Sequence, residues 1–156
     1  SGIVPEDPSF YAYVPTKIDK SLAKEGSECL YVLVPVPELS KSEVKWDDQF
    51  IEQYKEKILN IISEKINDKD LKAHIDFEKI FTPNDFETEF NAYNGATFGL
   101  APTLLQSNYY RPHNKYKYAK NLYFTGSSVH PGAGVTIVLT SAKLAYEEIL
   151  KDDKGE

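Results

Sequence analysis

The 156-residue sequence contains no methionine and begins Ser1-Gly2, so we expect either an excised segment of a longer protein or a chain that starts with the remnant of a tag. It also lacks a strand–GxGxxG–helix pattern, the turn that holds the adenosine diphosphate half of a dinucleotide. No apolar run approaches the roughly 18 residues that suggest a membrane-spanning helix. The sequence therefore predicts neither a complete dinucleotide-binding fold nor a membrane span.

Cysteine is also scarce, and acidic residues outnumber basic ones by 24 to 18. The single cysteine, Cys29, cannot form a disulfide within the chain, which is typical of the reducing cytoplasm. A net charge of −6 with no basic stripe argues against nucleic acid as a partner. No cluster with metal-ligand spacing is recognisable, and His74 has no ligating neighbour in sequence. A hydrophobic fraction of 41% still indicates a folded chain, either one domain or two small lobes.

The first half of the sequence indicates an α+β fold. Aromatic and β-branched residues predict strands at 10–14 and 29–36, and an alternating pattern predicts a third strand over 71–81. Apolar residues at three- and four-residue steps predict an amphipathic helix over 48–66, with Asp47 as its N-cap. We expect this helix to cover an antiparallel or mixed sheet. Binding of the helix to a membrane surface is the alternative, although its polar face mixes Glu with Lys.

The second half begins with a short helix, predicted over 85–91 and capped from Thr82. Residues 92–112 then show no periodicity, which is unusual within a compact domain unless the segment is functional. One helical turn is expected near 103–108. The basic residues Arg111, His113 and Lys115 are expected at the surface, and contact with lipid headgroups is the alternative.

Residues 121–145 carry the clearest functional signal. They predict a short strand at 122–124, a loop rich in Gly, Ser and Pro, and a helix over 135–150 that is apolar on nearly all sides and therefore expected to be buried. A glycine turn entering a helix directs free backbone N–H groups and the positive end of the helix dipole at one point. Such a point suits an anion or an electron-rich ring edge. Glycine-rich turns also occur where the chain only changes direction, and the spacing alone does not separate the two readings.

Three stretches resemble one known family. LYFTGSSVHPGAGV at 122–135 is similar to the C-terminal flavin-binding signature of the carotenoid desaturases, the phytoene and dehydrosqualene (4,4'-diapophytoene) desaturase family. DPSFY at 7–11, with LYVLVPVP at 30–37, resembles their substrate-binding region. The stretch 92–112 resembles the segment that joins the two. Thr136 stands where relatives often carry proline.

The resemblance implies an FAD-dependent oxidoreductase that introduces C=C bonds into an acyclic isoprenoid during carotenoid biosynthesis. Residues 1–91 would form part of the substrate-binding lobe, and 92–156 a linker plus the C-terminal strand–turn–helix piece of a Rossmann-like FAD-binding domain. Catalytic residues are not identified, and we expect the segment alone to be inactive. The residues expected to approach the flavin are Gly126, Ser127, Ser128, His130, Gly132, Ala133, Gly134 and Val135.

The implied partners are the isoprenoid or carotenoid substrate, a membrane surface contacted peripherally from the cytoplasm, and an N-terminal dinucleotide-binding part of the same protein. Self-association to a homo-oligomer is a further expectation. Two alternatives stay open: a non-catalytic lipid-contact or interaction module, and a carotenoid isomerase or flavin amine oxidase-like enzyme.

Overall fold

The computed structural model describes residues 2–101 and 103–155 and divides into two compact units, Ser1–Asp85 and Phe86–Glu156. The chain runs through two strands and three α-helices joined by short 3₁₀ turns. These elements are β1 (Tyr11–Tyr13), β2 (Tyr31–Leu33), α1 (Asp48–Ile66), α2 (Pro83–Phe90) and α3 (Val135–Lys154).

The two strands form a small antiparallel sheet in the first unit. β1 pairs with β2 in a register that places Tyr11 opposite Leu33 and Tyr13 opposite Tyr31. All three residues of β1 are exposed. Among the described residues, α1 packs mainly against a 3₁₀ turn at Leu71–His74 and does not form the expected cover of the sheet.

α1 has the predicted bounds and the predicted N-cap. The Asp47 carboxylate accepts a hydrogen bond from the Phe50 N–H at 3.0 Å, which satisfies one of the free donors of the first turn. Ile58 and Ile62 are buried on the inner face, and the Trp46 ring lies edge-on to Phe50 with centroids 5.2 Å apart. Asn67 ends the helix in a left-handed conformation.

The predicted third strand over 71–81 is wrong. Its first residues form the 3₁₀ turn at Leu71–His74, and Phe77 is 82% exposed. Ion pairs tie this segment to α1, since Lys72 bonds Glu56 and Lys55 bonds Glu78. An alternating pattern forms a strand only where a partner strand can pair with it, and the described residues offer none here.

α2 begins two residues before the prediction, at Pro83. The Asp85 carboxylate accepts hydrogen bonds from both the N–H and the hydroxyl of Thr82, each at 2.6 Å, and these bonds lower the pKa of Asp85. This reciprocal arrangement is a capping box. Proline fits the first position because that N–H has no partner within a helix.

α3 starts at Val135, as predicted, but extends to Lys154, where Gly155 ends it in a left-handed conformation. The expectation that it is buried is wrong for its first turns. Val135 is 82% exposed and Leu139 is 66% exposed, whereas Ser141 and Ala145 are buried. The apolar pattern thus marks a surface that no described residue covers.

The C-terminal end of α3 is held by one carboxylate. Asp152 accepts hydrogen bonds from the Lys115 ammonium and the Tyr123 hydroxyl. These two bonds lower the pKa of Asp152 below its usual 3.8, while the bond to Asp152 raises the pKa of Tyr123 to about 12. These bonds to Asp152 join the end of α3 to the segment that precedes the glycine loop at 126–134.

The lowered pKa gives a pH prediction. A carboxylate with a depressed pKa in the folded state contributes stability above its usual value and loses it as the pH falls through the folded pKa. We expect Asp152→Asn to be less stable than the parent at pH 7 and the difference to shrink as the pH falls below the usual carboxyl pKa of 3.8. Urea unfolding followed by circular dichroism at several pH values measures this. Asp153→Asn is the matched control on the same helix, and an Asp152→Asn effect independent of pH would contradict the assignment.

Among the described residues, no helix combines the length and apolar character needed to cross a bilayer.

Candidate functional site

The segment before the glycine loop pairs with an earlier stretch of the second unit. Lys115 and Tyr123 form an isolated antiparallel bridge, the Phe124 N–H donates to the Asn114 carbonyl at 2.7 Å, and the Tyr116 N–H donates to the Leu122 carbonyl at 3.0 Å. The predicted strand at 122–124 is therefore reduced to a single bridge. This short pairing directs the chain into the loop at 126–134.

A buried polar cluster joins this pairing to α3. The Asn114 side-chain NH₂ donates to the Phe124 carbonyl at 3.0 Å, the Ser141 carbonyl at 3.1 Å and the Ser141 hydroxyl oxygen at 2.9 Å. Ser141 is completely buried and Asn114 is 5% exposed. Because buried polar groups need their partners, this cluster fixes how the loop enters the helix.

Arg111 lies beneath the glycine loop. Its guanidinium donates from Nη1 to the Ser127 carbonyl at 2.7 Å and from Nη2 to the Leu100 carbonyl at 2.9 Å. The residue is 4% exposed, so the expected surface position is wrong for Arg111, whereas His113 and Lys115 are exposed. Hydrogen bonds to two carbonyls inside the unit offset part of the cost of burying this charged side chain.

The loop is built on glycines in conformations that other residues rarely adopt. Gly126, Gly132 and Gly134 have φ values of 121°, 145° and 113°. A Cβ added at Gly126 would meet nothing within 4 Å, and one at Gly134 would meet only Ile137 at 3.9 Å. A Cβ at Gly132 would lie 3.3 Å from the Arg111 Nε. The backbone is thus open at Gly126 and Gly134 and packed against a cation at Gly132.

The start of α3 presents unused donors. Gly134 is the N-cap residue and no side chain caps the helix. Within the described residues, no acceptor receives a hydrogen bond from the N–H of Ala133, Gly134 or Val135. Gly134 and Val135 are exposed and Ala133 is half-buried. Unpaired amides at a helix N-terminus, next to glycines with no side chain, fit a ligand edge rich in acceptors.

The remaining predicted site residues line the same loop. The Ser127 carbonyl faces Arg111, and the Ser128 hydroxyl approaches Gly99 so closely that a Cβ there would lie 2.2 Å from it. The His130 N–H donates to the Pro112 carbonyl at 2.9 Å, and its ring lies 6.0 Å from that of His113. All eight predicted residues therefore belong to one continuous turn, and His130 is held by backbone pairing.

Two residues of this site were missed in the sequence, Arg111 as a buried group and Asn114 altogether. An Arg directly after a stretch with no charged residue from 92 to 110 is the one local signal for burial. Asn114 gives no such signal, because its partners Phe124 and Ser141 lie 10 and 27 residues away along the chain.

Nearly the whole sequence is similar to part of known proteins. No family model matches the chain. The 4,4'-diapophytoene desaturases (4,4'-diaponeurosporene-forming) of Staphylococcus aureus strains Newman, USA300 and NCTC 8325 / PS 47 are each 52% identical to it over 153 residues. That alignment covers 97% of this chain and 30% of each relative, at the relative's C-terminal end. The chain thus spans less than a third of the length of these relatives, and by its sequence it belongs to the carotenoid desaturase family and corresponds to the C-terminal part of its members.

Proposed function

We propose that this chain forms the C-terminal part of an FAD-dependent desaturase that introduces C=C bonds into an acyclic isoprenoid of the phytoene or 4,4'-diapophytoene type. The observation that carries the proposal is that two findings agree. The sequence is 52% identical to the C-terminal part of 4,4'-diapophytoene desaturases, and its glycine loop leaves the amides of 133–135 without acceptors.

In this proposal the chain supplies binding and orientation for the cofactor. The N–H groups of Ala133, Gly134 and Val135 would face the acceptor edge of the flavin ring, while Gly126, Ser127 and Ser128 would approach the ribityl or phosphate part. Bound FAD would supply the redox chemistry by accepting a hydride from one substrate carbon while a proton leaves the neighbouring carbon. The residues fit the cofactor, since no described residue accepts a hydrogen bond from these amides and a Cβ at Gly134 would meet only Ile137.

The charge-free stretch supports the expected apolar partners. Residues 92–110 carry no charged side chain, and Leu104, Leu105 and Tyr109 are 83%, 74% and 71% exposed. An exposed apolar surface of this kind marks contact with another molecule or with another part of the same protein. We propose that it faces the isoprenoid or the membrane that delivers it.

The exposed first turns of α3 support a further partner. Val135 and Leu139 form an apolar surface beside the amides of 133–135. In the proposed enzyme this surface packs on the N-terminal dinucleotide-binding part of the protein. Packing of the same surface on a second copy is the competing arrangement when that part is missing.

A chimera tests the proposed function. We define it as the desaturase of S. aureus strain Newman in which these 156 residues replace the matching C-terminal 30%. In cells that accumulate 4,4'-diapophytoene we expect the chimera to form a coloured polyene, because the segment completes the cofactor site. The relative truncated at the same point and the 156-residue chain alone should both leave the substrate colourless.

Two results would oppose the proposal. A chimera that folds and yet neither binds FAD nor desaturates would refute it. Desaturation by the 156-residue chain alone would show that the segment is not a part but a whole enzyme. Product analysis also separates the desaturase from an isomerase, because only desaturation lengthens the conjugated system.

A further inference from the structure

We propose that Arg111 is a positioning residue for the cofactor, holding the glycine loop open and providing the fixed positive charge beneath it. The inference rests on the proposed function, because it assigns a role toward the flavin that the loop is proposed to bind. It goes further in naming a residue outside the loop as the source of the loop's shape and charge.

Arg111 contacts both parts of the glycine loop. One guanidinium nitrogen bonds the Ser127 carbonyl at 2.7 Å, near one end of the loop, and Nε lies 3.3 Å from where a Cβ of Gly132 would be, near the other end. A second nitrogen bonds the Leu100 carbonyl at 2.9 Å. The planar guanidinium with its diverging donors thus bonds two separate carbonyls while its Nε side packs against Gly132. Arg111 therefore sets the spacing between the two parts of the loop.

Arg111 also carries a buried positive charge. Arg111 is 4% exposed, and no carboxylate of residues 2–101 or 103–155 forms an ion pair with it. Two carbonyls accept hydrogen bonds from two of its five N–H donors, and neither neutralises its charge. A buried cation without a paired carboxylate acts strongly on nearby charge because the surrounding dielectric is low. The loop and the uncapped start of α3 then form a region of positive potential that favours negative charge on a ligand.

The glycine at position 132 also supports this role of Arg111. Gly132 is buried and has a φ of 145°, and any side chain there would press on the guanidinium. Glycine at this position keeps Arg111 in place and also leaves the backbone free to approach a ligand. The requirement for glycine thus has a cause inside the chain, separate from the ligand itself.

The experiment uses the FAD-loaded chimera and two substitutions, Arg111→Gln and Arg111→Lys. The measured quantities are the dissociation constant for oxidised FAD and the midpoint potential of the bound flavin, which gives the ratio of affinities for the reduced and oxidised forms. Lys143→Gln, which removes an exposed positive charge from α3, is the matched control. Thermal unfolding of each variant reports whether it folds.

We expect Arg111→Gln to lower the reduced-to-oxidised affinity ratio about tenfold, equivalent to a potential about 30 mV more negative for a two-electron couple. Arg111→Lys keeps the charge, so its ratio should stay within about twofold of the parent. Its affinity for oxidised FAD should still fall, because a single ammonium nitrogen cannot occupy the positions of the two guanidinium nitrogens that bond the carbonyls. Lys143→Gln should change neither quantity.

The results that overturn the inference are separate from those that overturn the proposed function. If Gly134→Asp abolishes FAD binding while Arg111→Gln leaves the affinity ratio unchanged, the loop binds flavin and Arg111 is only structural. If both Arg111 variants fail to fold, Arg111 belongs to the stability of the unit and the inference is wrong. If only the Lys variant folds, an unchanged affinity for oxidised FAD would also overturn it.

Discussion

Gly134→Asp in the chimera should reduce its affinity for FAD by about 100-fold or more, so that the protein purifies without yellow colour. Gly134 is the N-cap of α3 and has a φ of 113°. An aspartate at an N-cap accepts hydrogen bonds from the first turn of its own helix and places a negative charge at the positive end of the dipole. The substituted carboxylate would therefore occupy the donors that the proposal assigns to the cofactor.

The control for this substitution is Asn121→Asp. Asn121 is exposed and has a φ of 57°, a left-handed conformation that Asp also adopts, so the change adds the same charge without new backbone strain. It lies before the loop, and FAD binding should be retained. A Gly134→Asp chimera with parental flavin content would show that α3 does not begin at the cofactor. The flavin absorbance per folded protein is the measurement in both cases.

Asn114→Ala should be the most damaging single truncation for the stability of the 156-residue chain. The Asn114 amide serves three acceptors, and two of them belong to Ser141, which is completely buried. Removing the donors leaves buried carbonyls unsatisfied and opens a small cavity at the join between the loop and α3. We expect the free energy of unfolding to fall by about 3 kcal/mol, measured by urea unfolding.

Asn60→Ala provides the comparison for that measurement. Asn60 is exposed on α1, where alanine is the better helix former, so the change should be neutral or slightly stabilising within about 0.5 kcal/mol. Equal effects of the two substitutions would show that the buried Asn114 cluster does not hold the unit together.

Local sequence patterns were sufficient where the responsible interactions are local. The bounds of α1 follow from its apolar spacing and the Asp47 cap, and the start of α3 follows from the glycines that precede it. The Thr82–Asp85 cap is likewise visible in sequence because its partners are three residues apart. Caps and periodicity are properties of a few neighbouring residues, so they can be read without the fold.

Patterns failed where the outcome depends on a distant partner. The alternation at 71–81 did not produce a strand, and the apolar pattern at the start of α3 did not produce burial in this chain. Arg111 was expected at the surface because charge usually stays there, and two carbonyls far along the chain reversed that expectation. Long-range hydrogen bonds leave no trace in local composition, which is why the support beneath the loop was not predicted.

Hydrogen–deuterium exchange at the amides of Ala133, Gly134 and Val135 in the chimera, with and without FAD, tests the central claim most directly. If these unpaired N–H groups bind the flavin, FAD should slow their exchange by at least about tenfold beyond any change at the amides of α1. Exchange at 133–135 that is the same with and without bound FAD would contradict the account.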